Sequence, residues 1–254
     1  MFVNLNKSLI AQRFAKAGQS YTEQAVIQKQ ISQHLSQLMQ NHCPENLAHV
    51  LEIGCGSGNL THQLVKNFQI EQWYLNDLYP QVQRHFQDHL PIQWMIGDIE
   101  TLDLPGDSDA IVSSSALQWI NDLPKLLARC HTALKAQGWL CFSTFGPDNF
   151  IEIKQLTGQG LHYWSMDDWR QQLELLNFEI VELSQQNLSM QFETPKAVLK
   201  HLKATGVTGA SEQQQRWTKQ SLTEFYEAYQ QFKLENNRYR LSYHPIYCIA
   251  RRKS

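Results

Sequence analysis

The stretch Val50 to Thr61, "VLEIGCGSGNLT", sets an apolar run against a loop in which every second residue, Gly54, Gly56 and Gly58, has no side chain. An apolar segment that closes on glycines reads as a buried strand turning sharply into a helix. Glycine accepts the left-handed backbone such a turn requires and lets a ligand approach the main chain. Glu52 places a carboxylate beside that bare backbone.

Outward from this loop the chain alternates strand and helix. The apolar segments "HVLEI", "QWYLND", "IQWMIGD", "DAIVSSSA" and "GWLCFSTFG" are separated by helical patterns in "LTHQLVKNF", where Leu60, Leu64 and Phe68 share one face, in "PQVQRHFQDHL" and in "DLPKLLARCHTALK". That order predicts an α/β fold: a seven-stranded, mostly parallel Rossmann-like sheet with right-handed crossovers, helices on both faces and an antiparallel last strand.

Residues 1–45 read as a helical cover. A first piece carries Leu9, Ile10 and Phe14, and Gly18 is expected to end it. A second is expected to start at the capping box Ser20/Glu23 and to bury Ile27, Ile31, Leu35 and Leu38. Past Gly146 come a helix around "DDWRQQLELL", the extended "FEIVELSQQNLSMQF", a helical insertion over about 194–235 and the strand "YHPIYCIARR". The insertion is the candidate lid. We expect one domain over 1–254, with a cofactor-binding half at 46–150 and a substrate half at 151–254.

The charge balance, 22 basic against 24 acidic residues, supplies no global attraction to nucleic acid or to an anionic membrane. Five cysteines with no C-x-x-C pair suggest neither a disulfide framework nor a zinc knuckle and fit a reducing cytoplasm. The N-terminus has no signal-peptide pattern, and no apolar run approaches the ~20 residues of a membrane span. His85 and His89 have metal-ligand spacing without a third ligand in context, so no metal is expected. Cys55 reads as a small packed residue.

Ligands of open parallel sheets bind beyond the carboxyl ends of the strands, which gathers Gly54 to Asn59, Asp77 with Leu78, Gly97 to Ile99, and Ser113 to Ala116, with Asp98, Ile99, Ser113 and Ser114 as site candidates. Asp77 follows Gly58 by about twenty residues, the place of a ribose-binding carboxylate. The spacing G-x-G-x-G departs from the G-x-G-x-x-G of dinucleotide sites. A carboxylate such as Glu52 next to the loop suits a ligand bearing an ammonium better than a pyrophosphate. S-adenosylmethionine meets that requirement, with Asp77 on the ribose, Asp98 on the adenine amino group and Ile99 against the ring.

In this order "VLEIGCGSG", "LND", "GDIE" and "DAIVSSSALQW" resemble the class I S-adenosylmethionine-dependent methyltransferases. "NKSLIAQRFAKAGQSY", "SALQWINDL", "FSTFGPDNFIEI", "LKATGVTG" and "NRYRLSYHPIYCIARR" resemble more narrowly the malonyl-[acyl-carrier protein] O-methyltransferases of biotin synthesis, from about Asn6 to Lys253. Glu52 stands where the first motif usually has aspartate.

The resemblance implies methyl transfer to the free carboxylate of a malonyl thioester on acyl-carrier protein or coenzyme A, by a monomer acting in the cytoplasm. That carboxylate is ionised at neutral pH, so no general base is required. Gln12 and Tyr21 become candidates at the cofactor, although Phe14 and Tyr21 read equally well as packing residues. Gln118 and Trp119 become walls of the acceptor side. Arg238 becomes the candidate anchor of the malonyl carboxylate, shared with Tyr239 or Tyr243. Lys196, Lys200 and Lys203 fall on one face of a helix opened by Thr194 and Pro195, a cationic row suited to an acidic carrier protein, or simply a solvated face. Rival readings are a methyltransferase for a small free acid such as an aconitate-like tricarboxylate, a nicotinamide-dependent oxidoreductase, and a non-catalytic S-adenosylmethionine-binding module.

Overall fold

In the computed structural model, which describes residues 5–86, 90–205 and 218–254 and the backbone alone for 16–24, the run "NLAHVLEI" forms the central strand β1 (Asn46–Ile53). Val50 and Leu51 are both fully buried, as a strand covered on both faces requires. β1 pairs in parallel with β2 (Gln69–Asp77) on one side and β4 (Ser108–Ser114) on the other. β3 (Ile92–Ile96) extends the sheet beyond β2, and β5 (Leu134–Phe145) beyond β4, both in parallel. β9 (Pro245–Arg252) runs antiparallel between β5 and β6 (Phe178–Gln185). The seven-stranded order is β3-β2-β1-β4-β5-β9-β6, so the chain reverses its direction of strand addition between β1 and β4. The crevice beyond the ends of those two strands is the ligand position of such sheets.

Helices cover both faces. α2 (Val26–His42) buries Ile27, Ile31, Leu35 and Leu38 beside α3 (Thr61–Asn67), in one cluster with Val50, Trp73 and Tyr247. α4 (Leu123–Ala133), capped by Asp122, and α6 (Met166–Leu175), opened by the Ser165/Asp168 capping box, enclose a second cluster around Leu51, Ile111, Phe142 and Trp169. A short α5 (Ile151–Thr157), not anticipated from the periodicity, follows β5.

Three sequence expectations change. The first helix, α1 (Lys7–Gln24), continues through Gly18, because one helical glycine costs only about 1 kcal/mol. α2 therefore starts after Ala25 with no side-chain cap, and Ser20 and Glu23 lie inside α1. "PQVQRH" forms a 3-10 turn, Pro80–His85, rather than an α-helix; His89 lies outside the described residues. The extended segment after α6 splits between two sheets: "LSMQF" leaves the main sheet as β7 (Leu188–Phe192) and pairs antiparallel with β8 (Tyr239–Tyr243).

The insertion is helical as expected, with α7 (Pro195–Ala204) capped by Thr194 and α8 (Lys219–Ala228) capped by Thr218. α7 buries Val198 and Leu202 and packs against α1. Among the described residues no helix is long and apolar enough to cross a membrane.

Candidate active site

The glycine loop after β1 has Gly54, Gly56 and Gly58 at φ +71°, +53° and +78°. The positions differ in what surrounds them. A Cβ on Gly54 would run into Ala116 Cβ, whereas one on Gly56 would meet no protein atom within 4 Å. Gly54 thus lets the β1 and β4 loops touch, and Gly56 leaves its main chain open toward the cleft it lines. Gly54→Ala is accordingly expected to lower stability by about 2–4 kcal/mol. Gly56→Val should cost the fold less and block the cleft; paired melting curves and ligand titrations check the contrast.

The cleft holds about 1020 Å³ of empty space, its open mouth included. Asp77 closes its inner wall. Its Oδ2 accepts from Gly56 N at 2.8 Å and its Oδ1 from Leu78 N at 2.7 Å, which ties the glycine loop to the end of β2. The Tyr79 amide also donates to this carboxylate, which keeps a lone pair for a ligand hydroxyl. Burial pushes the Asp77 carboxyl up to about 6 despite these donors. Glu52 is 1% exposed, accepts from Thr61 Oγ1 at 2.6 Å, and is pushed up to about 8, first by burial, with the Asp77 charge adding to it against the Thr61 hydrogen bond. A positive ligand group beside Glu52 would draw it back to the ionised form. Cys55 lines the same wall, and burial raises its thiol well above the ordinary range, which disfavours the thiolate.

The N-terminal helix crosses the mouth. Lys7 Nζ lies 2.5 Å from Glu100 Oε2 and 3.4 Å from Asp98 Oδ1, and Phe14 meets Trp119 edge to face with centroids 5.6 Å apart. Ile10 and Trp119 form a small buried cluster beneath it.

Of the residues singled out from sequence, Glu52, Gly54, Cys55, Gly56, Asn59, Asp77, Leu78, Asp98, Ile99, Ser114 and Trp119 line the cleft together. Others do not. Gln12 is exposed on α1, Gly58 packs toward His62, and Ser113 turns inward to donate to Ile53 O at 2.9 Å. Gln118 is held by Ser115 O and Thr144 Oγ1 outside the lining. The Tyr21 side chain lies outside the described residues.

Arg238 is exposed ahead of β8 and does not reach the cleft. Tyr239 and Tyr243 alternate with Leu241 on the buried face of β8, where their hydroxyls meet Gln230 Oε1 at 2.7 Å and His201 Nε2 at 2.6 Å. Strand alternation turns these rings into the core of the insertion, away from the expected sharing with Arg238. Among the described residues the lining comes from α1, α2 and the loops after β1 to β4, with none from the insertion.

The chain covers all of the malonyl-[acyl-carrier protein] O-methyltransferase of Acinetobacter baylyi, with 62% identity over the whole of both chains. It belongs to the malonyl-[acyl-carrier protein] O-methyltransferase family. The family's member from Bacteroides thetaiotaomicron is 39% identical over 98% of this chain and 99% of its own. A methyltransferase-domain family model matches residues 22–183, which span the whole cleft except the start of α1. Among solved structures, a methyltransferase of Bacillus halodurans described as putative superposes with a TM-score of 0.63 at 18% identity, over 87% of this chain and 99% of its own. The N-methyltransferase NodS of Bradyrhizobium japonicum, in complex with S-adenosyl-L-homocysteine, gives 0.54 at 14% identity, over 88% of this chain and 86% of its own. These structures share the fold of the malonyl-[acyl-carrier protein] O-methyltransferase family.

Sequence reading missed Lys7, Gln28, Ser32 and Asn76 in the lining, and considered His85 there only for its metal-ligand spacing with His89. Gln28, Ser32 and Ser36 did carry a signal: they form a buried polar row at four-residue spacing beside the apolar row of α2. Lys7 carried none.

Proposed function

We propose that this protein transfers a methyl group from S-adenosylmethionine to the free carboxylate of a malonyl thioester carried on acyl-carrier protein. The observation that carries the reading is the charge of the cleft: Glu52, Asp77 and Asp98 line it, and its lysine, Lys7, is already committed to acidic partners. That balance favours a cationic sulfonium and ammonium and opposes a pyrophosphate. The names of the relatives favour the malonyl substrate over a small free acid.

The bound cofactor supplies a methyl group made electrophilic by the sulfonium. Asp77 offers acceptors to ribose hydroxyls, Glu52 offers its carboxylate to the ammonium, and Ile99 supplies an apolar surface beside Asp98 for the adenine end. The nucleophile arrives already ionised, so the protein's work is to align it and to exclude water. Ile10 and Phe14 on Trp119 place apolar surface over the mouth for that purpose. Esterification removes a charge whose burial in an apolar tunnel costs many kcal/mol.

Lys196, Lys200 and Lys203 are exposed along one face of α7 while Val198 and Leu202 anchor the other. This row is the docking face for the acidic carrier, next to the cover helix. Arg238 stays on the surface as a further docking cation rather than a carboxylate anchor. Replacing the three lysines by glutamate should lower turnover of malonyl-carrier protein by about 30-fold and leave malonyl-coenzyme A turnover within about twofold. Equal losses on both would sink the docking role.

The reaction itself is tested by incubating labelled S-adenosylmethionine with malonyl-carrier protein, malonyl-coenzyme A and free aconitate and weighing the products. Methyl ester on the carrier thioester is expected; ester on aconitate alone would replace the substrate assignment.

A further inference from the structure

The far flank of the sheet holds a buried charge that the methyl-transfer reading does not use. Glu152, on α5, is fully buried and accepts hydrogen bonds from β8: Arg240 Nε at 3.0 Å, Ser242 Oγ at 2.6 Å and Ser242 N at 3.0 Å. Arg240 differs in burial, with 46% of its side chain exposed. Its Nε is engaged by Glu152, while its two terminal amino groups meet no partner among the described residues. Its backbone is fixed as well, since Arg240 pairs with Gln191 of β7 and its carbonyl accepts from the Tyr229 hydroxyl at 2.8 Å.

A buried ion pair is seldom a net source of stability, so tying α5 to β8 did not require charge. What the pair achieves is orientation. The carboxylate takes the inner edge of the guanidinium and leaves the terminal amino groups toward solvent. A planar fork held in this way matches an anionic group with two oxygens to offer, a phosphate or a carboxylate.

Its place narrows the ligand. Phe145 at the end of β5 pairs with Pro245 at the start of β9, Gly146 N donates to His244 O at 2.7 Å, and Phe150 N donates to Ser242 O at 2.9 Å. Glu152 and Arg240 therefore stand beyond the end of β5, the strand next to β4, at the end of the sheet where the cleft opens. Asp77 and Asp98, assigned to the nucleoside, lie on the opposite flank after β2 and β3. Arg240 does not line the cleft, so it is not at the reacting carboxylate. It stands on the flank left open to the rest of the substrate. In a malonyl thioester that remainder is a pantetheine arm ending in a phosphate, on carrier protein and on coenzyme A alike.

We propose that Arg240, oriented by Glu152, binds the phosphate of the pantetheine arm, an assignment that rests on the methyl-transfer reading above. Glu152 offsets the guanidinium charge at a distance, so only a phosphate touching the terminal amino groups gains from it. The lysine row of α7 and Arg240 thus separate by substrate: the row acts on the carrier protein, and Arg240 acts on both thioesters.

The test compares kcat/KM of wild type, Arg240→Met and Arg240→Lys on malonyl-carrier protein, malonyl-coenzyme A and malonyl-pantetheine, which lacks the phosphate. In Arg240→Met the ratio of malonyl-coenzyme A to malonyl-pantetheine should fall about 30-fold, the loss of one hydrogen bond between charged groups, with malonyl-carrier protein falling alongside. Arg240→Lys keeps the charge without the fork and should recover part of the ratio. An unchanged ratio, whether all three substrates lose equally or none loses, overturns the phosphate site and leaves the pair a structural tie. A loss confined to malonyl-carrier protein also overturns it and assigns Arg240 to protein docking. Arg240→Met strands a buried carboxylate; should it fail to fold, the double variant Glu152→Gln/Arg240→Met removes both charges and is read by the same ratio. Failure of the underlying methyl transfer looks different, because wild type would then esterify none of the three thioesters.

Discussion

Glu52→Gln lowers affinity for S-adenosylhomocysteine about 100-fold at pH 8, the loss expected when a buried hydrogen bond between charged groups becomes one to a neutral amide. The same change makes the protein more stable at pH 8. Glu52 is fully buried and its pKa rises from 4.5 to about 8, chiefly through burial. A carboxyl whose folded pKa lies above its unfolded value stabilises the fold fully below the unfolded value and loses that contribution as pH rises through the folded one. Through Glu52 wild type therefore loses up to about 1.4 kcal/mol per pH unit between roughly pH 5 and 8, a slope that the glutamine variant lacks above the Asp77 step near 6. Ligand affinity runs the other way: between pH 7 and 8 it should climb in wild type as Glu52 ionises and stay flat in the variant, which keeps only the lower step of Asp77 near 6. Calorimetry and thermal melts from pH 5 to 9 check both slopes. A flat wild-type binding profile above pH 6 would place the ammonium elsewhere.

Asp77→Ala carries the second large effect. It removes the acceptors for Gly56 N and Leu78 N together with the lone pairs assigned to the ribose. Losing two hydrogen bonds to a charged group weakens S-adenosylhomocysteine binding by about 1000-fold. It also leaves two loop amides without partners, which costs about 1–3 kcal/mol of stability for each that stays buried. Wild type shows the same dependence as a pH step: with its carboxyl at about 6, protonation of Asp77 below that value removes an acceptor and weakens binding. Asp77→Asn separates the two roles, since it keeps the shape but turns a donor toward one loop amide. Binding of Asp77→Ala within tenfold of wild type would remove the ribose assignment.

The sheet was readable because its signals are local. The "HVLEI" run, the alternating glycines and the acidic residues at the ends of β2 and β3 are properties of short segments. They placed Glu52, Gly54, Gly56, Asp77 and Asp98 in one cleft before any contact was known. The last third was less legible. Nothing in "FEIVELSQQNLSMQF" announces that its second half pairs with "YRLSY" fifty residues later, because both segments alternate in the same way. The inward turn of Tyr239 and Tyr243 depends on that pairing, and the exposure of Arg238 follows from its place just before it.

The chain's own residues thus determined the parallel sheet, the open loop and the negative cleft for a cationic nucleoside, since each follows from patterns of a few neighbouring positions. Only the tertiary structure decided what covers the cleft and what faces the acceptor. It threaded α1 through Gly18, set Lys7 against Asp98 and Glu100, and brought Ser32 of α2 to within 3.0 Å of Ser114 at the end of β4. The physical reason is range: a polar side chain on a helix acquires its partner only when a strand end distant in sequence is packed against it, as Ser114 is against Ser32.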